Sequence, residues 1–243
     1  MPEGPSIVIL KEAVQGFKGK KVVIAAGNAK IDKERITGRK ITDFKSWGKH
    51  FLICFSDFTV RIHLMLFGSY RINEERETSP RLSLKFNNGV INFYACSVKI
   101  IEEPLYEVYD WSADVMSPEW DAAKALKKLK AKPEMLVCDA ILDQNIFAGA
   151  GNIFKNEVLF RIRIHPLSTI GSLPPGKLKE LVKEIHNYAF DFLNWKKQFV
   201  LKKHWQAHTM KICPRDHIPL IKEYLGKTNR RTFFCSKCQL LYQ

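Results

Sequence analysis

The pattern of the chain changes once, near Ser117-Pro118-Glu119, and that change constrains the architecture more than any other feature. Before it lie short runs rich in β-branched and aromatic residues, at 22–26, 50–55, 59–66, 82–86 and 90–94. Asn87-Asn88-Gly89 between the last two has the composition of a hairpin turn. Strands this short, joined by turns, predict an antiparallel sandwich or barrel up to about Tyr109. A helix over 5–17 precedes them. Pro5 suits its first turn, Ile7, Leu10, Val14 and Phe17 share a face, and Gly16 marks its end.

After the change the apolar spacing is helical, at 122–130, 134–142, 153–161 and 176–194. Pro133, Gly149, Gly151, His165-Pro166 and Pro174-Pro175 punctuate these segments. The fold class is therefore α+β. The expected organisation is a β domain with its N-terminal helix over 1–110, a linker at 111–116, a helical domain over 117–205 and a small tail over 206–243.

Hydrophobic residues make up 46% of the chain and aromatics 12%, which excludes disorder as the main state. The formal charge is +14, from 39 Lys plus Arg against 25 Asp plus Glu. From Trp195 onward eleven Lys or Arg face two acids, Asp216 and Glu223. So concentrated a charge is the footprint of a surface that binds phosphates. Nucleic acid or an acidic membrane is its natural partner, although a generally basic enzyme shares the composition. No stretch has the length of a transmembrane helix, and the first residues lack a basic region followed by an apolar core.

The six cysteines are accordingly read as reduced. Cys54, Cys96 and Cys138 sit alone among apolar neighbours and read as inert core residues. The other three cluster in the tail as Cys213-Pro214-Arg215-Asp216-His217 and Cys235-Ser236-Lys237-Cys238. Thiolates and imidazole suit tetrahedral zinc, and four protein ligands make a closed structural site. The expected set is Cys213, His217, Cys235 and Cys238, holding one Zn2+ per chain, with His208 a competing ligand. A redox CxxC is the alternative, but it needs a thioredoxin-like βαβ context that this tail lacks. Zinc would replace a core that so short a segment cannot build.

Three motifs stand in order along the chain. The first is Pro2-Glu3-Gly4-Pro5. The second runs through Leu142-Asp143-Gln144-Asn145, Ala148-Gly149-Ala150-Gly151-Asn152-Ile153-Phe154, Glu157-Val158-Leu159-Phe160 and Ile164-His165-Pro166. The third is Arg230-Arg231-Thr232-Phe233-Phe234-Cys235 with Cys238-Gln239. Together they resemble the formamidopyrimidine-DNA glycosylase and endonuclease VIII family, across essentially the whole chain. The chemistry is consistent with that resemblance. Removal of Met1 leaves Pro2 with a free secondary amine, and an α-amine titrates near pH 8, about two units below lysine. Such an amine can attack a sugar carbon and form an iminium.

The resemblance implies a β-sandwich, a helix–two-turn–helix and a zinc-finger hairpin, with a role for each matching residue. Pro2 is the implied Schiff-base nucleophile at C1′ and Glu3 the proton donor. Lys49, in Trp47-Gly48-Lys49-His50, matches the lysine of β-elimination and phosphate contact. Arg230 matches the arginine that grips phosphate beside the lesion. His63 and Asn152 match further backbone contacts, and Asn152 follows a glycine-rich turn at a helix start, where N–H groups bind phosphate. Met65, Leu66 and Phe67 match the loop that fills the space left by a flipped base. Read from the residues alone, that triad serves equally as a strand end packed in the core.

The apolar triad, Pro2-Glu3-Gly4-Pro5 and the lack of an Arg-x-Phe pair at 94–99 resemble the endonuclease VIII branch. The stretch 202–212 is too short for a long base-capping loop. These features favour oxidised pyrimidines. Two departures stand out: Ser6 where the family usually has a second glutamate, and the Cys-x3-His half-site. The implied function is a monomeric DNA glycosylase and abasic-site lyase, acting by β,δ-elimination on double-stranded DNA with oxidised bases or abasic sites. It would reside in the cytoplasm with the nucleoid in a bacterium, or otherwise inside the cell with DNA. A damaged- or branched-DNA-binding module with weakened catalysis is the alternative, motivated by Ser6; an RNA-binding zinc-ribbon protein leaves Pro2-Glu3 and the Asn152 turn unexplained.

Overall fold

A computed structural model describes residues 2–243, and the chain divides into two compact units, Met1–Asp110 and Trp111–Gln243. The first unit opens with α1 (Gly4–Ala13), followed by a 3-10 turn at Gln15–Phe17. The helix stops short of Gly16 because Val14 leaves helical geometry at φ −98° and ψ 5°. Eight strands follow: β1 (Ile24–Ala26), β2 (Asp43–Trp47), β3 (His50–Cys54), β4 (Thr59–His63), β5 (Ser69–Ile72), β6 (Leu82–Phe86), β7 (Gly89–Tyr94) and β8 (Ser97–Ile101).

They form two antiparallel four-stranded sheets, ordered β1-β6-β7-β5 and β2-β3-β4-β8. Phe51 of one sheet meets Phe93 of the other at 5.9 Å between ring centroids. Ile7, Leu10 and Val14 of α1 join the same apolar core, all fully buried. This is the antiparallel sandwich expected from the spacing of the runs. The β6–β7 hairpin turns at Asn87-Asn88, with Phe86 opposite Gly89. Gly89 sits at φ +148°, and a Cβ there would lie 2.1 Å from the Asn73 side chain.

The second unit contains α3 (Ala122–Lys130), α4 (Val137–Leu142), α5 (Asn152–Arg161) and the long α6 (Pro175–Lys197), and the short helix α2 (Leu105–Val108) lies in the first unit. Asp121 caps α3 by accepting the Lys124 N–H at 2.9 Å, and Pro174-Pro175 starts α6. The core is one cluster that includes Val137, Ile141, Phe154, Val158, Leu181, Ile185 and Tyr188. Residues 111–116 belong to this unit, with Val115 fully buried in its core. The chain ends in the antiparallel hairpin of β9 (Ile221–Leu225) and β10 (Arg230–Phe234). No described helix is long and apolar enough to cross a membrane.

Candidate active site and metal centre

In the first unit, Glu3 is the N-cap of α1 and is fully buried, with half-buried Pro2 just before it. Acidic side chains are almost never buried to this degree unless they are partnered. Ser6 closes the first turn: its hydroxyl accepts the Glu3 N–H at 3.4 Å, and its own N–H donates to the Glu3 carbonyl at 2.8 Å. The serine that replaces the expected second glutamate is thus part of the cap that orients Glu3.

Lys49 stands in the two-residue turn between β2 and β3, where Trp47 pairs with His50. Gly48 takes the first turn position at φ +51°, the residue a tight hairpin favours there. His63 ends β4 directly opposite His50, with ring centroids 5.2 Å apart. His50 Nδ1 lies 3.2 Å from the Tyr109 hydroxyl. Burial, aided by the charges of Arg61, His63 and Lys49, pushes the His50 imidazole down to about 3. Burial, with Lys49 and Arg61, also lowers His63. The His50 ring is therefore neutral at neutral pH, and the neutral form of His63 is favoured in the same positive field.

The segment after β4 carries the apolar triad. Met65 takes a left-handed φ of 54°. Met65, Leu66 and Phe67 are 53%, 47% and 83% exposed, so this is a displayed loop rather than a strand end in the core. Its backbone closes tightly, with Gly68 N–H donating to the Leu64 carbonyl at 2.7 Å.

In the second unit, the segment between α4 and α5 is braced by Gln144. Its amide donates to the carbonyls of Leu142 and Ala150 at 2.8 and 3.0 Å and accepts the Gly149 N–H at 3.1 Å. That brace sets the start of α5, where Asn152 donates its side-chain amide to the Arg231 carbonyl at 2.9 Å. The Asn152 Oδ1 is buried without a hydrogen-bond partner. The structure thus joins Asn152 to the strand that carries Arg230, whose side chain is exposed.

Sequence reading missed the polar face beneath. Lys155 is fully buried, and its amino group donates to Thr232 Oγ1 at 2.7 Å and reaches the Arg230 and Arg231 carbonyls at 3.5 and 3.4 Å. Asn156 accepts the Phe233 N–H at 3.1 Å and its amide lies 2.9 Å from His208 Nδ1. Glu157, also fully buried, accepts the N–H groups of Gln206, Ala207 and His208. Three consecutive polar residues in a helix that otherwise reads Ile-Phe-…-Val-Leu-Phe are the signal that such a face leaves in a sequence.

The tail gathers a metal-ligand set. Ligand atoms of Cys213, Asp216, Cys235 and Cys238 all lie within 4.8 Å of one another. Asp216, not His217, stands with the three sulfurs: its Oδ2 is 3.4 Å from Cys213 Sγ and 3.2 Å from Cys235 Sγ. The turn after Cys213 directs the Asp216 N–H to the Cys213 sulfur at 3.4 Å and puts His217 at φ 55°, exposed. His208 is engaged with Asn156 instead. Three sulfurs and a carboxylate oxygen are donors that tetrahedral zinc accepts, so the set fits the ion. Burial, with Asp216 and the neighbouring thiols, pushes the Cys238 thiol up to about 12, and a cation is what would reverse that. Phe160, Ala207 and Leu220 complete a small apolar cluster around Cys213 and Cys235. Arg215 lies 4.1 Å over the Phe160 ring and donates to the Phe160 carbonyl at 2.9 Å, fastening the ligand loop to α5.

Residues 1–96 match the formamidopyrimidine-DNA glycosylase N-terminal domain, and residues 112–194 match the formamidopyrimidine-DNA glycosylase H2TH domain. The chain belongs to the formamidopyrimidine-DNA glycosylase and endonuclease VIII family. Endonuclease 8-like 2 of Bos taurus is 34% identical over 197 residues, 74% of this chain and 58% of that protein. Endonuclease 8-like 3 of Xenopus laevis is 28% identical over 233 residues, 90% of this chain and 38% of that protein. The chain thus spans less than two thirds of the length of these relatives. The fold matches that of Lactococcus lactis formamidopyrimidine-DNA glycosylase, solved bound to DNA with an abasic site, at a TM-score of 0.85 and 21% identity. That match covers 98% of this chain and 99% of the other.

Proposed function

We propose that this chain is a DNA repair glycosylase that excises an oxidised base through a Schiff base on Pro2 and then cleaves the strand as an abasic-site lyase. The burial of Glu3 carries the reading: a fully buried acidic residue directly follows Pro2, whose nitrogen becomes the nucleophile once Met1 is removed. The Pro2 nitrogen forms a bond to C1′ as the base leaves with the glycosidic electron pair and a proton. The sugar ring then opens, and its ring oxygen takes a proton that Glu3 supplies. In the resulting iminium the C2′ hydrogens are acidic. Loss of one proton, eased by the cationic field of Lys49, expels the 3′-phosphate, and a second elimination expels the 5′-phosphate. Water then hydrolyses the iminium and restores the amine.

Lys49, His63, Asn152 and Arg230 hold phosphates in this reading. His63 donates a hydrogen bond through a ring N–H, and Asn152 donates one at the positive end of α5. Exposed Met65, Leu66 and Phe67 enter the space left by the flipped nucleotide. Oxidised pyrimidines are the favoured substrates, supported by that single-loop triad and by the short segment at 202–212. One zinc ion held by Cys213, Cys235, Cys238 and Asp216 secures the hairpin that carries Arg230; the ion is structural.

The test is borohydride trapping by protein with a native, untagged start. Duplexes would carry an abasic site, thymine glycol, 5,6-dihydrouracil or 8-oxoguanine. A covalent adduct that disappears when one residue is inserted before Pro2 is the expected result. Tight, salt-dependent binding with no adduct on any duplex would overturn it in favour of a damage-binding module.

A further inference from the structure

The end of α6 displays an aromatic side chain where a helix terminus ordinarily has glycine. Past its C-cap at Gln198, Phe199 N–H donates to the Lys196 carbonyl at 3.1 Å and Val200 N–H to the Trp195 carbonyl at 2.9 Å. These two bonds define a Schellman terminus, whose first residue beyond the cap is left-handed and usually glycine. Phe199 occupies that position at φ 60°, a conformation unfavourable for a bulky side chain. Its ring makes no use of the core: at 95% it is the most exposed large apolar side chain among the described residues.

The turn that carries it is held firmly. Trp195 and His204 stack at 4.2 Å between centroids with their planes 4° apart, clamping the two sides. Lys203 N–H donates to the Val200 carbonyl at 2.8 Å, and the Arg161 guanidinium lies 5.4 Å from the Trp195 ring centre. Between the two tryptophans Trp195 and Trp205 stand Lys196, Lys197, Lys202 and Lys203 and no acid. Lys202 and Lys203 are exposed. A rigid turn thus presents one bare aromatic ring among cations, at a backbone position where glycine would fold more readily.

We propose that Phe199 stacks on an unpaired base of DNA, with Lys202 and Lys203 holding the adjoining phosphates. Base–aromatic stacking beside a cationic track is the chemistry by which unstacked nucleic acid is held without regard to sequence. The proposal rests on the DNA-binding reading above and adds to it a second contact, specific for bases that have left the duplex.

The experiment compares the wild-type chain with Phe199→Gly and Phe199→Trp. Glycine suits the left-handed position, so F199G folds at least as stably as wild type, and its melting temperature checks this. The probes are a duplex with one unpaired 2-aminopurine and the fully paired duplex of the same sequence, at one salt concentration. F199G is expected to bind the unpaired probe about ten-fold more weakly or worse, with the paired duplex unaffected. F199W should retain tight binding and quench the 2-aminopurine. Wild-type affinity of F199G for the unpaired probe, or an equal loss on both duplexes, overturns base stacking. Failure of wild type itself to bind either duplex would sink the DNA-binding reading and the stacking role of Phe199 with it, whereas a loss in F199G alone leaves that reading standing.

Discussion

Replacing Glu157 with alanine tests how the metal-bearing tail is fastened to the helical unit. The carboxylate is fully buried and accepts three successive backbone N–H groups, from Gln206, Ala207 and His208, at 2.9, 2.9 and 2.7 Å. Removing it orphans all three. The Ala207 donor is fully buried, and leaving such a group unsatisfied costs about 1–3 kcal/mol. The other two are part-buried and recover some water, so about 0.5–1.5 kcal/mol each is appropriate. Relief of the cost of burying a carboxylate, the cause that raises the Glu157 pKa, offsets part of this. A net loss of about 3 kcal/mol follows, within the ~5–15 kcal/mol a domain has in reserve.

Glu157→Gln keeps one oxygen acceptor but turns an amide N–H toward one of the three donors, so its loss should be about half as large. The assay is native-state hydrogen exchange of the 206–208 amides, followed by mass spectrometry. In the local-opening regime, ~3 kcal/mol lowers their protection about a hundred-fold, because ~1.4 kcal/mol is a factor of ten. The expected order of protection is wild type, then E157Q, then E157A. Unchanged protection in E157A, or E157Q matching wild type, would refute the view that this carboxylate holds the segment.

Three further outcomes are expected. Cys235→Ser should abolish zinc binding measured by atomic emission, and Asp216→Ala should weaken it and alter the cobalt-substituted spectrum. His217→Ala should leave both unchanged; the opposite pattern would return the fourth position to His217. Because burial and neighbouring cations hold His50 down to about 3, the unfolded chain takes up this proton first as pH falls. Its contribution to stability is present above the unfolded value near 6.5 and is lost as pH falls from there towards 3, by at most about 1.4 kcal/mol per pH unit. Urea melts of wild type and His50→Gln at pH 7 and pH 4.5 should show a smaller pH slope in the variant. A Cβ on Gly68 would lie 1.9 Å from the Leu64 carbonyl oxygen, so Gly68→Ala must reshape the 65–67 loop. Excision of a paired lesion should fall by ten-fold or more on the scale of about 1.4 kcal/mol per decade, while strand cleavage at a preformed abasic site is less affected. Equal losses on both substrates would argue against a void-filling role.

What was legible in the sequence tracks how locally each feature is determined. Helix α3 and strands β6 and β7 were readable because their apolar spacing and turn residues lie within a few positions. Strands β2, β5 and β8 lie outside the runs that the sequence marks as strands. The burial of β2 and β5 is mixed, intermediate at all four positions in β5, because they stand at sheet edges where no strict alternation is imposed. β8 is the opposite edge of the sheet that β2 edges, and its mixed burial, Ser97 to Ile101, weakens the same signal. The site divides along the same line. Pro2, Glu3, Lys49, Asn152 and the cysteines could be named from short motifs. Lys155 stands in no such motif and Glu157 stands in one without a role, because their meaning depends on partners 75 and 50 positions away, on the Arg230 carbonyl and the Ala207 N–H. The tail shows the limit most clearly. Counting residues offers Asp216 and His217 equally to a metal, and only the turn after Cys213 determines that the carboxylate faces inward while the imidazole is left at φ 55° outside the cluster. A ligand set is therefore a property of backbone direction, and spacing alone narrows it to candidates.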